Sequence, residues 1–293
     1  MNILIMKRTI HNLLIVGLVA ASHLLGISCA ARTVTPSSTR AEKQVTMEKI
    51  TGISLNIPAK VVYTQGGATK FSMSGPDNLL PLIVLDNKNG SLSISYPDDV
   101  AVKSKGDKNN VIITISSPAI KSLAVTSSGE IEVPTPISAS DLKLAVTGAG
   151  DMELKGVTAT GKIDAAVTGA GDLELDMHVK AATLSFAVTG AGDLECENIT
   201  ASSLTAAVSG SGDLELKGGK VEVATYSVTG AGDLNARKLQ STQVTAKVSG
   251  SGDIMCNATT SLNASISGAG EIKYVGNPQI VCSTTRKPSS IGL

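Results

Sequence analysis

At 293 residues, with 25 basic against 25 acidic side chains and no basic run, the chain has no electrostatic footprint for a phosphate backbone, which excludes a nucleic-acid partner. Two Phe, four Tyr and no Trp leave little for a sugar-stacking platform, and a single histidine beyond the leader, His178, leaves no Ser-His-Asp or Cys-His constellation to propose. The 29 glycines point instead to a chain built on turns.

The first segment, 1–28, reads as a signal peptide. Lys7 and Arg8 precede an apolar stretch from Leu13 to Leu25, too short to span a bilayer and of the length of a secretory core. Two processing readings stay open. Gly26-Ile27-Ser28-Cys29 resembles a lipobox, which would place a lipid on Cys29 and tether the chain to a membrane, whereas Ser28-Cys29-Ala30 satisfies the small-x-small rule of ordinary signal peptidase. Removing the leader leaves 23 basic against 25 acidic residues, a net charge near −2. Residues 29–44, rich in Ser, Thr and charge, read as a disordered tether.

Residues 45–120 read as paired strands. Ile53 to Ile57, Val61 to Thr64 and Lys70 to Met73 alternate in hydropathy, the last two joined through Gln65-Gly66-Gly67, and Asp86-Asn87-Lys88-Asn89-Gly90 marks a turn between Ile83-Val84-Leu85 and Leu92 to Tyr96. This segment is expected to cap the amino-terminal end of a repeat region that begins at residue 121.

From 121 to 280 the chain repeats. The turn Gly-(Ala/Ser)-Gly-(Asp/Glu) places acids at Glu130, Asp151, Asp172, Asp193, Asp213, Asp233, Asp253 and Glu271, with steps of 21, 21, 21, 20, 20, 20 and 18 residues. Alternating apolar runs flank each turn, and equivalent inward positions carry similar residues. Val146, Val167, Val188, Val208, Val228, Val248 and Ile266 form one column, and Met152, Leu173, Leu194, Leu214, Leu234, Ile254 and Ile272 a second. One rung cannot bury these faces alone, so the repeats predict an all-β, single-stranded parallel β-helix of about eight rungs and about 20 residues per rung, with an N-terminal strand cap. The tail, 281–293, leaves the pattern.

Three features of the repeat bear on function. Stacking brings Asp151, Asp172, Asp193, Asp213, Asp233 and Asp253 into a row about 4.8 Å apart, where charges repel unless something offsets them. Either each carboxylate accepts N–H groups of its own glycine turn, or the row holds a divalent cation such as Ca²⁺. Next, Thr147, Thr168, Thr189, Ser209, Thr229 and Ser249 point outward beside small residues, forming either a plain strand ladder or a docking face for a second copy or another flat partner. Finally, Cys196 and Cys256 take an inward column three rungs apart, about 14 Å, too far for a disulfide, and read as buried free thiols. The near-uniform rungs have no long insertion to wall a catalytic cleft, and the carboxylate pairs recur as pattern, so no catalytic residue is assigned.

Ile50-Thr51-Gly52-Ile53-Ser54-Leu55 with Val62-Tyr63-Thr64-Gln65-Gly66, then Asn89-Gly90-Ser91-Leu92-Ser93-Ile94, the Gly-Ala-Gly-Asp turns and the closing Tyr274-Val275-Gly276-Asn277-Pro278 together resemble the head GIN domain family of autotransporter adhesins. The resemblance spans about residues 45–280. It implies an exported β-helical envelope protein of Gram-negative bacteria, at the outer membrane or surface, or periplasmic or secreted. It implies no enzymatic activity and no cofactor, and a protein or glycan surface ligand that the resemblance does not name. A periplasmic scaffold and, further off, a polysaccharide-active β-helix enzyme are the alternatives.

Overall fold

The computed structural model describes residues 31–103, 110–284 and 286–291. From Ser122 onward the strands pair parallel, one rung to the next, in the register that the inward columns require. Val146 lies against Val167, Val167 against Val188, and so on to Val248 against Ile266. Met152 through Ile272 stack in the same way. No member of either column is more than 4% exposed. Each buried side chain of this size stabilises by about 1.5 to 3 kcal/mol relative to exposure, so the stack supplies what a single rung lacks.

A third column shows how shape is accommodated. It runs Leu144, Ala165, Phe186, Ala206, Tyr226, Ala246 and Ala264, so each aromatic ring has alanine on both neighbouring rungs. The interior stays close-packed because large and small residues alternate along the stack. Tyr226 Oη and Ser241 Oγ, 3.4 Å apart, satisfy each other within the core.

The glycines of the turns are needed for close approach. Turn backbones lie directly on one another, with Ala191 N–H donating to Gly169 O at 2.8 Å and Ser211 N–H to Gly190 O at 2.8 Å. A Cβ added at Gly192 would fall 2.0 Å from Gly171 O. Any side chain there would force the rungs apart.

The amino-terminal segment does more than cover the end of the coil. Gly52–Leu55 lies between Ser122–Val125 and Ser91–Ser95, parallel to both, and Lys60–Gln65 lies between Glu130–Val133 and Ile112–Ser117 in the same sense. Leu55 and Ile94 therefore prolong the first inward column, and Val61 and Ile113 the second. Spatial order departs from chain order here, since the coil from Ser91 to Ser117 sits outside the one from Gly52 to Gln65. The expected hairpin forms, Val84–Lys88 antiparallel to Ser91–Ser95, with positive φ at Asn89 (55°) and Gly90 (87°). Lys70–Pro76, however, does not pair with Lys60–Gln65. Both edges of that strand are taken by parallel neighbours, so Lys70–Pro76 runs antiparallel to Ile112–Ser117 instead.

The stretch expected as a disordered tether, 29–44, is ordered over its described part. Arg40–Gln44 pairs antiparallel with Lys70–Pro76, and Arg32–Val34 pairs parallel with Val100–Val102. Asn78 pins the intervening loop, accepting from Ser37 N–H at 2.9 Å and donating to Thr35 O at 2.8 Å. Every residue of Arg40–Gln44 is exposed, so its polar composition reflects an outer strand that covers a sheet edge. At the other end the coil runs past 280. Gln279–Cys282 stacks on the Ser261 to Ala264 portion of Ile254–Ile266, and Ser289–Ser290 covers the edge of Ile272–Val275.

Candidate functional site

The acidic row is joined by hydrogen bonds that step from rung to rung. Asp172 Oδ1 accepts from Asp193 N–H at 3.1 Å, Asp193 from Asp213 at 2.8 Å, Asp213 from Asp233 at 2.8 Å, Asp233 from Asp253 at 2.7 Å, and Asp253 from Glu271 at 2.8 Å. The expected bond to each residue's own glycine turn is replaced by one to the next rung. There the stacked turns aim a backbone N–H at the carboxylate below. A charge-assisted bond of this kind contributes about 1.5 to 3 kcal/mol, against repulsion of about 1 kcal/mol between neighbouring charges in water. The row therefore acts as a staircase of caps.

Two residues further on, outward positions carry a second acidic column, Glu132, Glu153, Glu174, Glu195 and Glu215, in register. Carboxylate oxygens of Glu153, Glu174 and Asp176 lie within 4.8 Å of one another, the grouping among the described residues that could hold a metal ion. It is not the set of six aspartates expected from the turns. Lys155 already occupies it, with Nζ on Asp176 Oδ2 at 2.5 Å and on Glu153. Glu174 titrates above the ordinary carboxylate range, first because its neighbours exclude water from it and then because Asp176, Glu153 and Glu195 are negative. A shallow hollow of about 340 Å³ lies beside it, lined by Glu130, Asp151, Met152, Glu153, Asp172 and Glu174. The signal for this column was present in the recurring Asp-x-Glu spacing, but which carboxylates converge depends on where Lys155 and Asp176 fall.

The hydroxyl ladder is where the spacing predicted. Thr147, Thr168, Thr189, Ser209, Thr229 and Ser249 are all exposed, with Thr168 against Thr189 in direct register. Ala145, Ala166, Ala187 and Ala207 beside them are half-buried. Near the turn the strands from Leu142 to Val228 thus present short side chains outward, with Lys247 the long exception on the next rung, and Thr229 Oγ1 lies 3.2 Å from Ser249 Oγ along the row.

The remaining candidates are structural. Cys196 and Cys256 are buried and unbonded to each other, and burial pushes both thiols up, Cys256 to about 12, which disfavours the reactive thiolate. Phe186 and Tyr226 are core residues. His178 is exposed, next to Met177, whose backbone is left-handed (φ 63°) at the bend after the acidic strand. Cys29, the candidate for lipidation, lies outside the described residues.

Solved structures share this fold. A crystal structure from Parabacteroides merdae described as a "putative adhesin" is 21% identical, with a TM-score of 0.66 over 89% of this chain and 100% of that one. Two from Parabacteroides distasonis are similar: a "Putative lipid binding protein" at 22% identity and TM-score 0.64, over 89% of this chain and 100% of that one, and a "putative adhesin" at 20% and 0.63, over 88% and 99%. No curated protein matches the sequence. The model of the family described as "Putative auto-transporter adhesin, head GIN domain" matches residues 49–217 and 164–278, and the chain belongs to that family.

Proposed function

We propose that the protein is a non-catalytic binding protein of the bacterial cell envelope that engages a protein or glycan surface through the flat hydroxyl-bearing face of its β-helix. The observation that carries this reading is the in-register row from Thr147 to Ser249, exposed over its whole length and bordered by Ala145, Ala166, Ala187 and Ala207 on its first four rungs and by Ser227 and Lys247 on the last two. A flat sheet of short side chains lets a partner approach closely at little entropic cost, since few long rotamers must be ordered. The family description favours a surface role. The near-identity of successive rungs favours a function spread along a face over one concentrated at a catalytic rung. A lipid on Cys29 would hold the domain at the outer membrane. The acidic row belongs to the scaffold in this reading, because each Oδ1 from Asp172 to Asp253 already holds a backbone N–H. Millimolar Ca²⁺ is then expected to leave the unfolding midpoint unchanged.

The test has two arms. Protease added to intact cells is expected to cleave the mature domain; full protection would place it in the periplasm as a scaffold. Cells or beads carrying the double variant Thr168→Tyr, Thr229→Tyr are expected to lose adherence by about tenfold or more, since bulky rings prevent close approach. Undiminished adherence would move the binding surface elsewhere.

A further inference from the structure

Away from the hydroxyl row, a groove of about 830 Å³ opens at the corner where the third strand of a rung turns into the next rung. It exists because Ile137–Ala139 pairs with Asp151–Ala159 on one side only. On the other side the Gln65 side chain stands in for a strand, donating to Ser138 O at 2.9 Å and accepting from Ser138 N–H at 2.7 Å, while also donating to Pro118 O at 3.1 Å. The wall so braced is apolar: Pro118 and Ala119 are exposed and Ala139 is half-buried, above the buried Ile120 and Leu142.

The rim is cationic. Three lysines line it, Lys121, Lys143 and Lys162, against Asp141 and Asp164. Both acids are engaged by Lys162: its N–H donates to Asp141 Oδ1 at 2.7 Å and its Nζ pairs with Asp164 Oδ2 at 3.1 Å. Lys121 and Lys143 occupy adjoining rungs, Lys143 N–H donating to Lys121 O at 2.8 Å, and neither forms an ion pair among the described residues. In the strand register Lys143 stands opposite Ser122 on one side and Asp164 on the other, and Lys121 lies one position off Lys143, so the three lysines outnumber the two acids by one around the groove. The lining residues include no aromatic ring, so a sugar would find no stacking surface.

We propose that this groove binds a small amphiphilic anion, a carboxylate on a hydrocarbon chain, with its head between the Lys121 and Lys143 ammonium groups and its chain along Pro118, Ala119 and Ala139. The groove uses none of the hydroxyl row, and only its rim residues Lys143 and Asp164 share the outward strand face with Ala145 and Ala166.

Decanoate titrated into the purified protein, followed by calorimetry and by amide NMR shifts, is the probe. Saturable binding of one decanoate per chain is expected, with shifts centred on residues 118–121 and 138–143. Lys121→Gln with Lys143→Gln is expected to weaken it about tenfold, as are decanol, which lacks the charge, and acetate, which lacks the chain. Ala119→Asp, at an exposed position, supplies a second variant that should also lose binding, while Thr168→Tyr should retain it. Equal binding by the lysine double variant, equal binding of decanol, or the absence of saturable decanoate binding would overturn the assignment.

Discussion

At the scale of single residues, the aspartates of the turns show how a repeated charge becomes a structural asset. Asp213 accepts from Asp233 N–H while its own N–H is held by Asp193 Oδ1. Asp213→Ala removes the acceptor and leaves Asp233 N–H without its partner, and is expected to cost about 1 to 3 kcal/mol in denaturant unfolding. Asp213→Asn keeps an oxygen in place and removes one repelling charge, so its midpoint should stay within about 0.5 kcal/mol of the parent. A neutral Asp213→Ala would mean that the staircase contributes nothing. The existence of the acidic row follows from the repeat, whereas the partner of each carboxylate does not. An Asp before a strand commonly bonds its own turn, and only the offset between stacked turns directs it towards the next rung.

At the scale of the element, each rung is a strand, a glycine corner, a second strand and a short third one such as Ile137–Ala139, and the glycine corner sets the spacing. Gly192→Ala would bring a methyl group to 2.0 Å from Gly171 O, a contact that flexible side chains cannot relieve because the obstacle is backbone. The expected cost is about 1 to 3 kcal/mol or more, measured by thermal unfolding. Ser211→Ala, on the exposed residue of the following turn, serves as the neutral control. Hydropathy alternation sufficed to find these strands, since Leu142 to Val146 and Leu214 to Leu216 alternate cleanly. It could not say that Lys70–Pro76 joins Ile112–Ser117, because alternation specifies a strand's faces and leaves its neighbours open.

At the scale of the whole molecule, nearest-neighbour stacking makes the coil close to one-dimensional. Deleting residues 193–212 removes one complete rung, a 20-residue step from Asp193 to Asp213, and joins Gly192 to Asp213 with the turn motif intact. Leu173 would then stack on Leu214, and Val188 on Val228. The shortened chain is expected to fold with the same far-UV circular dichroism signature and to lose about 1 to 3 kcal/mol. Deleting only 199–208 removes one side of the rung and should abolish cooperative unfolding. Retention of a cooperative transition in that second variant would refute the rung as the stacking unit.

The amino-acid sequence by itself determined the period, the inward columns, the buried thiols and the outward hydroxyl row, because each depends on spacing along one chain and on a repeat that copies the same spacing into every rung. Tertiary structure decided what spacing cannot carry. The coil from Ser91 to Ser117 takes its place outside the one from Gly52 to Gln65, since the open edges there are filled by whichever strands can reach them. Residues 40–44 become an edge strand because Lys70–Pro76 presents an unpaired edge to cover, a need that their polar composition does not reveal. The groove beside Gln65 has the same origin: it lies where a neighbouring strand is missing, and an absent neighbour leaves no periodic mark in the sequence.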